Sequence, residues 1–385
     1  MKGIQHLILG GLFLLSFSAS ATHHDEHEQN LASHDTTEHA VAHTEATHHE
    51  AEEDAPFDPT SMIMHHIKDA HSWHLFDVND HAYSIPLPVI LWTDNGLVTF
   101  MSSAFHHDVE GHHVVEAGGQ RFVNIHEKIY YASEEAHHGV YAEMDHETHE
   151  VQNAKPLDLS ITKNVLTLLV VAALMFWIFG RSAAKYRKGD GVPRGIAGFT
   201  EPLILFVRDD IAKDNIGEKH YKRFVPYLLT LFFFIWINNL LGLVPFFPGG
   251  ANVSGNIAFT MILALFTFII TTVNGNKNYW MHIFWMPGVP YLVRPILAVV
   301  EFAGIFTKPF SLMIRLFANI TAGHIIVLSL VSLVFVFETV WISPASIVMT
   351  LFISTLELLV AALQAYIFTM LTALFIGAAL EEHHH

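Results

Sequence analysis

The chain has 385 residues, of which 51% are hydrophobic and 15% are charged, and its formal net charge is −17. Cysteine is absent, which excludes disulfides, thiol catalysis and thiolate metal sites. The charge is uneven, because residues 22–155 hold 25 of the 37 acidic residues and 22 of the 29 histidines but only four Lys or Arg. The remainder contains several apolar runs of membrane-spanning length, so the sequence predicts an integral membrane protein.

The first 55 residues divide into two segments. Residues 1–21 combine a charged start, an apolar core and small residues ending at Ala21, a pattern typical of a cleavable signal peptide. An uncleaved anchor helix is the alternative, and either one delivers the following segment outside. Residues 22–55 contain almost no large apolar residue, so we predict a disordered tail rich in histidine and acid. Its histidine pairs permit metal binding, but their spacing fixes no coordination geometry, and a proton-buffering tail is favoured.

Residues 56–155 have a composition that can fold, and we predict an extracytoplasmic region there. Residues 62–76 show a loosely helical, amphipathic pattern that suits a membrane surface. Residues 83–105 and 121–131 carry β-branched and aromatic residues around turn signals, which predicts β-hairpins. The histidine pairs at 106/107, 112/113 and 137/138 again permit metal binding without specifying it.

Residues 156–385 are predicted to form an all-α polytopic membrane domain of about five transmembrane helices. The first span, residues 159–179, is followed by four basic residues, which places that end in the cytoplasm. Residues 199–222 are too polar to span and predict an interfacial cytoplasmic helix. Further spans are predicted at residues 225–244 and 257–273, followed by an interfacial piece at 279–291.

Two longer apolar stretches end the chain, residues 292–341 and 344–380, and both exceed the length that a perpendicular helix needs. We therefore predict two strongly tilted helices. Their few ionisable residues are the candidates for transport chemistry, because a charge in apolar surroundings costs about 2.5–3.5 kcal/mol on insertion scales. They are Glu301, Lys308, Arg315, His324, Glu338 and Glu357.

Helix geometry predicts how these residues are distributed. Glu301 and Arg315 fall within about 40° of the same helix face and about 21 Å apart along the axis, and Asn319 shares that face. His324 lies about half a turn away. On the last helix, Glu357 and Gln364 are nearly in line and about 10 Å apart. Polar groups at different depths, separated by a fixed arginine, indicate two aqueous paths that do not meet.

Several motifs resemble subunit a of the F-type ATP synthase, the membrane stator beside the rotating ring of c subunits. The first is Arg315-Leu316-Phe317-Ala318-Asn319 followed by Ala322-Gly323-His324, with Lys308-Pro309 upstream. Leu363-Gln364-Ala365-Tyr366-Ile367-Phe368, Asn238-Asn239-Leu240-Leu241-Gly242-Leu243-Val244-Pro245 and the segment from Glu201-Pro202 to His220 fit the same family. The resemblance covers residue 61 to the carboxyl terminus, of the bacterial type with a histidine-rich amino-terminal extension.

The resemblance implies roles for six residues in proton translocation. Arg315 matches the essential arginine that faces the ring carboxylates and separates two half-channels. Asn319 and Gln364 match polar residues near that arginine, Glu301 matches the acid of the cytoplasmic half-channel, and His324 with Glu357 match a pair lining the external one. The implied protein is a non-catalytic, cofactor-free component of the synthase in the bacterial inner membrane. Its amino terminus is periplasmic and its carboxyl terminus cytoplasmic. It contacts the c-ring, the b-subunit peripheral stalk and lipid, but no nucleic acid.

Other interpretations stay open at this point. Arg315 could pair with a carboxylate on another helix, His324 could be a core histidine bonded to a carbonyl, and Asn319 and Gln364 could join helices by hydrogen bonds. The whole chain could be a secondary transporter for a metal or organic cation with a histidine-rich capture domain, although it shows no internal repeat. The front region could also be an independent metal-binding module.

Overall fold

The computed structural model describes residues 59–60, 63, 67–78, 81–136, 139–145, 150–187, 195–244, 249–286, 289–337 and 339–381. The predicted signal peptide (residues 1–21) and acidic tail (residues 22–55) lie outside the described residues.

Short antiparallel strands form three small sheets before the first long helix, in the orders β1-β2, β4-β3-β8 and β5-β6-β7. Two-residue turns join β3 to β4 and β5 to β6. The second turn needs glycine, because Gly118 has a φ of +60° and a Cβ there would lie 2.6 Å from Val98. The strands are β1 Ser72–Val78, β2 His81–Pro86, β3 Pro88–Thr93, β4 Gly96–Met101, β5 Val115–Ala117, β6 Gln120–Ile125, β7 Lys128–Tyr131 and β8 Leu157–Asp158.

The helix predicted over residues 62–76 is wrong in its second half. Residues 63 and 67 are helical, but strand β1 begins at Ser72 and pairs with β2. A short segment rich in aromatic residues does not distinguish a helix from a strand by its periodicity. Residues 72–78 form a strand because they pair with β2, and this arrangement buries Trp73.

One hydrophobic cluster joins the second and third sheets. Alternate residues of β3 point inward, so Val89 and Leu91 are fully buried against Phe122 of β6. The two sheets therefore share a core, and the opposite face of β3 points away from it.

Seven α-helices of eight or more residues are described after the sheets, together with a π-helical stretch, a three-residue α-helical segment and a short 3-10 helix, Val340–Ile342. The π-helical stretch, Val207–Lys213, continues α2 and leads into the turn Asp214–Ile216. The helix predicted over residues 199–222 is thus interrupted, because Gly217 with a φ of +86° ends it before α3 begins. The helices are α1 Lys163–Arg187, α2 Ile196–Phe206, α3 Tyr221–Gly242, α4 Ile257–Val273, α5 Lys277–Phe284, α6 Arg294–Val336 and α7 Ser343–Leu380.

Four of the described helices, α1, α3, α6 and α7, are long and apolar enough to cross a membrane. The pair α4 and α5, bent by 102°, makes a fifth span if it is counted as one. The 43 residues of α6 extend about 64 Å, roughly twice the thickness of a hydrocarbon core. The expected helical, multi-pass membrane fold is confirmed, whereas the tilt of α6 and α7 stays a prediction.

Helices α3, α6 and α7 share the main core of the bundle, where Leu228, Leu316 and Ile376 are fully buried. Small residues on α7 allow this close packing, since Ala361 and Ala365 are also fully buried. The carboxyl end of α7 is held at the corner between α4 and α5, where Asn276 bonds the carbonyl groups of residues 379 and 380. The start of α6 packs against α5.

Candidate functional site

Arg315 is the central residue of α6, and it lies at the border between a covered and an uncovered face. Leu312, Leu316 and Ile320 are buried on the covered side. Small or polar residues at helical spacing from Arg315 are exposed on the other side. They are Ser311, Ala318, Asn319 and Ala322. The half-buried guanidinium therefore borders a stripe that a partner backbone can approach closely.

No carboxylate of the described residues lies within ion-pair distance of Arg315. The alternative in which Arg315 pairs with an acid on another helix of this chain therefore gains no support from the part of the chain that the structure describes. Arg315 is therefore a half-buried charge without an acidic partner among the described residues.

His324 and Glu357 are in direct contact across α6 and α7. The Nδ1 atom of His324 lies 2.6 Å from Oε1 of Glu357, with side-chain exposures of 15% and 5%. The contact joins two side chains, and among the described residues Oε1 of Glu357 is buried without a hydrogen bond of regular geometry. The pair lies on the side of α6 opposite the Arg315 stripe, as the nine-residue separation predicts.

Two glycines leave room for this pair. A Cβ on Gly323 would lie 2.9 Å from Oε1 of Glu357, closer than real Cβ atoms normally come. Gly242, at the end of α3, faces the other side, where a Cβ would lie 3.6 Å from Nε2 of His324. The imidazole and the carboxylate are therefore packed against backbone rather than against bulky side chains.

A buried polar network continues from the pair along α3. The side-chain amide of Asn239 donates to the carbonyl oxygen of Ala361, one turn after Glu357 on α7, and its oxygen accepts a 2.6 Å bond from Ser254. Nearby in the chain, Asn238 Oδ1 and Asn252 Nδ2 are buried without a hydrogen-bond partner among the described residues. Buried polar atoms are usually satisfied by protein or by ordered water, so this end of the bundle suits water.

Gln364 lies on the same face of α7 as Glu357 and Ala361 and is buried, whereas Asn319 is exposed on α6. The two amides predicted near Arg315 thus occupy different environments. Sequence reasoning did not select Asn239, Ser254, Gly242 or Gly323 as site residues. The signal was present in the paired asparagines at the end of an apolar helix and in the Gly323-His324 dipeptide.

Glu301 lies near the start of α6, close enough to Tyr279 of α5 for an electrostatic interaction. One turn further along α6 begins a cavity of about 20 Å³, which is enough for a single water molecule. Hydroxyl groups and one amine contribute to its lining, which includes Thr267, Thr271, Thr272, Tyr279 and Lys308. The rest of the lining is apolar, and the cavity lies at the opposite end of the bundle from His324.

The described histidines of the front region do not form a metal-binding group. Within the described ranges, no group of three or more His, Asp or Glu side chains lies close enough together to hold a metal ion. The proposal of a metal-binding module therefore gains no support from these residues, and residues 22–55 lie outside them.

The fold and the site together define a multi-pass membrane protein with ionisable groups held at several depths, which is typical of proteins that conduct ions. Comparison with known families makes this specific. Residues 165–377, more than half of the chain, match the family described as ATP synthase A chain. Residues 62–159 match a separate domain of unknown function.

Similar proteins carry the name ATP synthase subunit a. The one from Chloroherpeton thalassium is 46% identical over 235 residues, covering 59% of this chain and 69% of the relative. The one from Anaeromyxobacter sp. strain Fw109-5 is 46% identical over 237 residues, covering 60% of this chain and 56% of the relative. The one from Chlorobium phaeobacteroides strain BS1 is 46% identical over 228 residues, covering 57% and 66%.

This chain belongs to the ATP synthase A chain family. Membership confirms the resemblance for residues 165–377, whereas its predicted extent from residue 61 was too wide, because residues 62–159 match a separate domain. Membership also favours the proton-translocating stator role over a secondary transporter. A member of this family is a membrane component of the synthase rather than its catalyst, as the sequence predicts.

Proposed function

We propose that this chain forms two aqueous half-channels against a ring of c subunits, so that proton flow drives rotation of the ring. The observation that carries the proposal is Arg315, a half-buried charge without an acidic partner among the described residues, bordering an uncovered stripe of small residues. The stripe suits close approach by another helix, and the missing counter-charge suits a carboxylate on that helix.

Arg315 acts in this proposal as the barrier between the two channels. A ring carboxylate is neutral when protonated and can face lipid, and it is attracted by Arg315 once it has lost its proton. Asn319, one turn further along the same exposed stripe, offers a polar contact beside that encounter. Each proton that crosses contributes about 2.3 kcal/mol per 100 mV of membrane potential.

The external half-channel runs past His324 and Glu357. An imidazole has an ordinary pKa near neutrality, so it suits a relay in which it exchanges a proton with the carboxylate in contact with it. Asn239 supports water along this path, as do Oδ1 of Asn238 and Nδ2 of Asn252, which have no hydrogen-bond partner among the described residues. Gln364, two turns from Glu357 on the same buried face of α7, continues the path toward the middle of the bundle.

The inner half-channel begins at Glu301. Its support is the position of Glu301 at the far end of α6 from His324, next to Tyr279, which lines the small cavity together with Lys308. A carboxylate beside a cavity large enough for water can pass a proton from the ring to the solvent on that side.

The proposed placement of the chain is the bacterial inner membrane, with the mature amino terminus in the periplasm and the carboxyl terminus in the cytoplasm. The basic residues that end α1, Lys185 and Arg187, support a cytoplasmic end there. The proposed organisation is a signal peptide (residues 1–21), a tail (22–55), a β-rich extracytoplasmic region (56–155) and the channel domain (156–385). The b-subunit peripheral stalk is the further proposed partner.

Substitution of Arg315 tests the central assignment. Arg315→Ala should abolish proton-driven ATP synthesis in inverted membrane vesicles that carry the assembled synthase. The matched control is Arg294→Ala, which removes an arginine at the start of the same helix that stacks on Trp285 and Tyr291, and it should retain most of the activity. Coupled synthesis that survives Arg315→Ala would overturn the proposal.

A further inference from the structure

The outward face of the sheet β4-β3-β8 is apolar and uncovered. Trp92 of β3 pairs with Leu97 of β4 on one side and with Leu157 of β8 on the other, and such directly paired residues point to the same face. Met101 and Leu159 extend the same face. These five side chains, here called the Trp92 face, are between 44% and 61% exposed.

The Trp92 face differs from the other surfaces of the front region. The outward positions of β3 and β4 include a single polar side chain, Thr99. The sheet β5-β6-β7 instead exposes charged residues such as Glu116 and Lys128. Contiguous exposed apolar surface on a folded protein marks a site for protein or for membrane, and a tryptophan flanked by leucines is typical of the lipid headgroup region.

The Trp92 face is fixed to the beginning of the first membrane helix. From β8 the chain runs beside β3, where Leu159 and Ile161 donate backbone hydrogen bonds to the carbonyls of Ile90 and Pro88. Lys163, the first residue of α1, donates to the carbonyl of Ala70. The sheet is therefore joined to α1 by paired backbone rather than by a loose linker.

The start of α1 is also held by the front region. Asp69 accepts from the Asn164 amide at 3.0 Å and from the Thr162 hydroxyl at 2.8 Å, so it satisfies donors that a helix end leaves open. Val165 and Leu169 on the first turns of α1 are exposed, as expected for a lipid-facing side. The apolar surface thus continues from a membrane-spanning helix onto the sheet.

We propose that the Trp92 face rests in the headgroup layer of the bilayer leaflet that α1 enters at its amino-terminal end. The lipid surface is the occupant that the geometry favours, because the sheet is fixed within a few residues of the point where the chain enters the hydrocarbon. The front region would then lie on the membrane beside the channel and restrict how that end of α1 moves.

A spin label tests this directly, because the natural chain has no cysteine. Trp92→Cys and, separately, Leu157→Cys give single labelling sites at exposed positions. Glu116→Cys, an exposed site on the charged sheet, is the matched control. The full chain, assembled in the synthase, is reconstituted in vesicles of phosphatidylethanolamine and phosphatidylglycerol. Collision of each nitroxide with oxygen, which concentrates in lipid, is then compared with collision with a water-soluble nickel chelate.

The expected result is a ratio of oxygen to nickel collisions at positions 92 and 157 that is several-fold higher than at 116. Equal nickel accessibility at all three positions would overturn the proposal, since the face would then be in water. Protection of positions 92 and 157 from both reagents would overturn it as well, because another protein subunit would then cover the face. None of these outcomes bears on the role of Arg315.

Discussion

Two buried pairs of histidine and carboxylate occur among the described residues, and they are built differently. In the front region, Nε2 of His71 lies 2.9 Å from Asp158, and the backbone amide of His71 donates to Glu127. Asp158 also accepts a hydrogen bond from the backbone amide of Ser160. In the membrane domain, His324 contacts Glu357 at 2.6 Å, and glycines flank both side chains. The first pair is hydrogen-bonded to its surroundings on several sides, whereas the second is packed against the backbone at two glycines.

The electrostatic setting of the first pair indicates a permanent charge. Burial alone would lower the pKa of His71, but the hydrogen bonds and charges of Asp158 and Glu127 raise it to about 9. Asp158 responds in the opposite direction, since the bonds from His71 and Ser160 lower its pKa although burial would raise it. The comparison indicates that a histidine enclosed by fixed partners holds its proton as part of the structure. His324, the histidine of the proposed relay, contacts one carboxylate among the described residues.

The largest expected difference between the two pairs is in proton conduction. Glu357→Gln should lower passive proton flux through the membrane sector by about a hundredfold, because the carboxylate can no longer exchange a proton with His324. Flux is measured by the quenching of a pH-sensitive dye in vesicles from which the catalytic sector has been removed. Asp158→Asn, the equivalent change in the other pair, should leave the flux near its normal value. Equal losses of proton flux in Glu357→Gln and Asp158→Asn would show that the two pairs do not differ in proton conduction.

The second test concerns stability. His71→Gln should destabilise the front region by about 3 kcal/mol near neutral pH, because it leaves Asp158 and Glu127 without the buried cation. Amide hydrogen exchange of β3 and β8 in the whole protein measures this. His113→Gln, at an exposed histidine, should have no effect. Unchanged exchange in His71→Gln would show that the charge of His71 does not stabilise the region.

The pH dependence of that exchange follows from the same pKa shift. The pKa of His71 is raised above its ordinary value of 6.5, so its stabilisation is complete below about pH 6.5 and is lost as the pH rises through about 9. The pKa of Asp158 is lowered below 3.8, so its stabilisation is present above that pH and is lost as the pH falls through the lowered value. In His71→Gln the alkaline loss should disappear.

The smallest expected effect concerns the space around the second pair. Gly323→Ala should reduce proton flux several-fold, since its Cβ would lie within 3.1 Å of two Glu357 atoms, and such overpacking costs about 1–3 kcal/mol. Gly304→Ala, in the same helix, is the control, because a Cβ there meets no atom within 4 Å. The vesicle assay described for Glu357→Gln applies to both. If Gly304→Ala slows flux as much as Gly323→Ala, the loss arises from the helix backbone and not from the pair.

The sequence predicts the membrane helices, and it singles out candidate site residues, because both depend on local composition. A run of apolar residues identifies α6, and Arg315 and His324 are conspicuous as ionisable groups within it. The contact between Gly323 and Glu357 could not be predicted in this way, because it depends on the register between two helices. Strand β1 was missed for a related reason, since its partner lies elsewhere in the chain.

The attachment of the front region to α1 was also beyond sequence reasoning. The first span was predicted to begin at Leu159, whereas residues 157–162 run as β8 and as extended chain beside β3. Leu157, Leu159 and Ile161 are apolar enough to pass for the start of a membrane helix. They lie beside β3 as extended chain because their backbones form hydrogen bonds with it, and hydropathy contains no information about such bonds.

The continuous helix α6 fixes the distance between Arg315 and His324. Because Arg315 and His324 belong to one rigid helix, nine residues apart, their separation of about 13.5 Å and their opposite azimuths are set by covalent geometry rather than by side-chain packing. Thermal movement of the bundle can shift or tilt Arg315 and His324 together, but it does not shorten the distance between them. A single inserted residue in this interval would turn His324, and every residue that follows it in α6, by about 100° relative to Arg315.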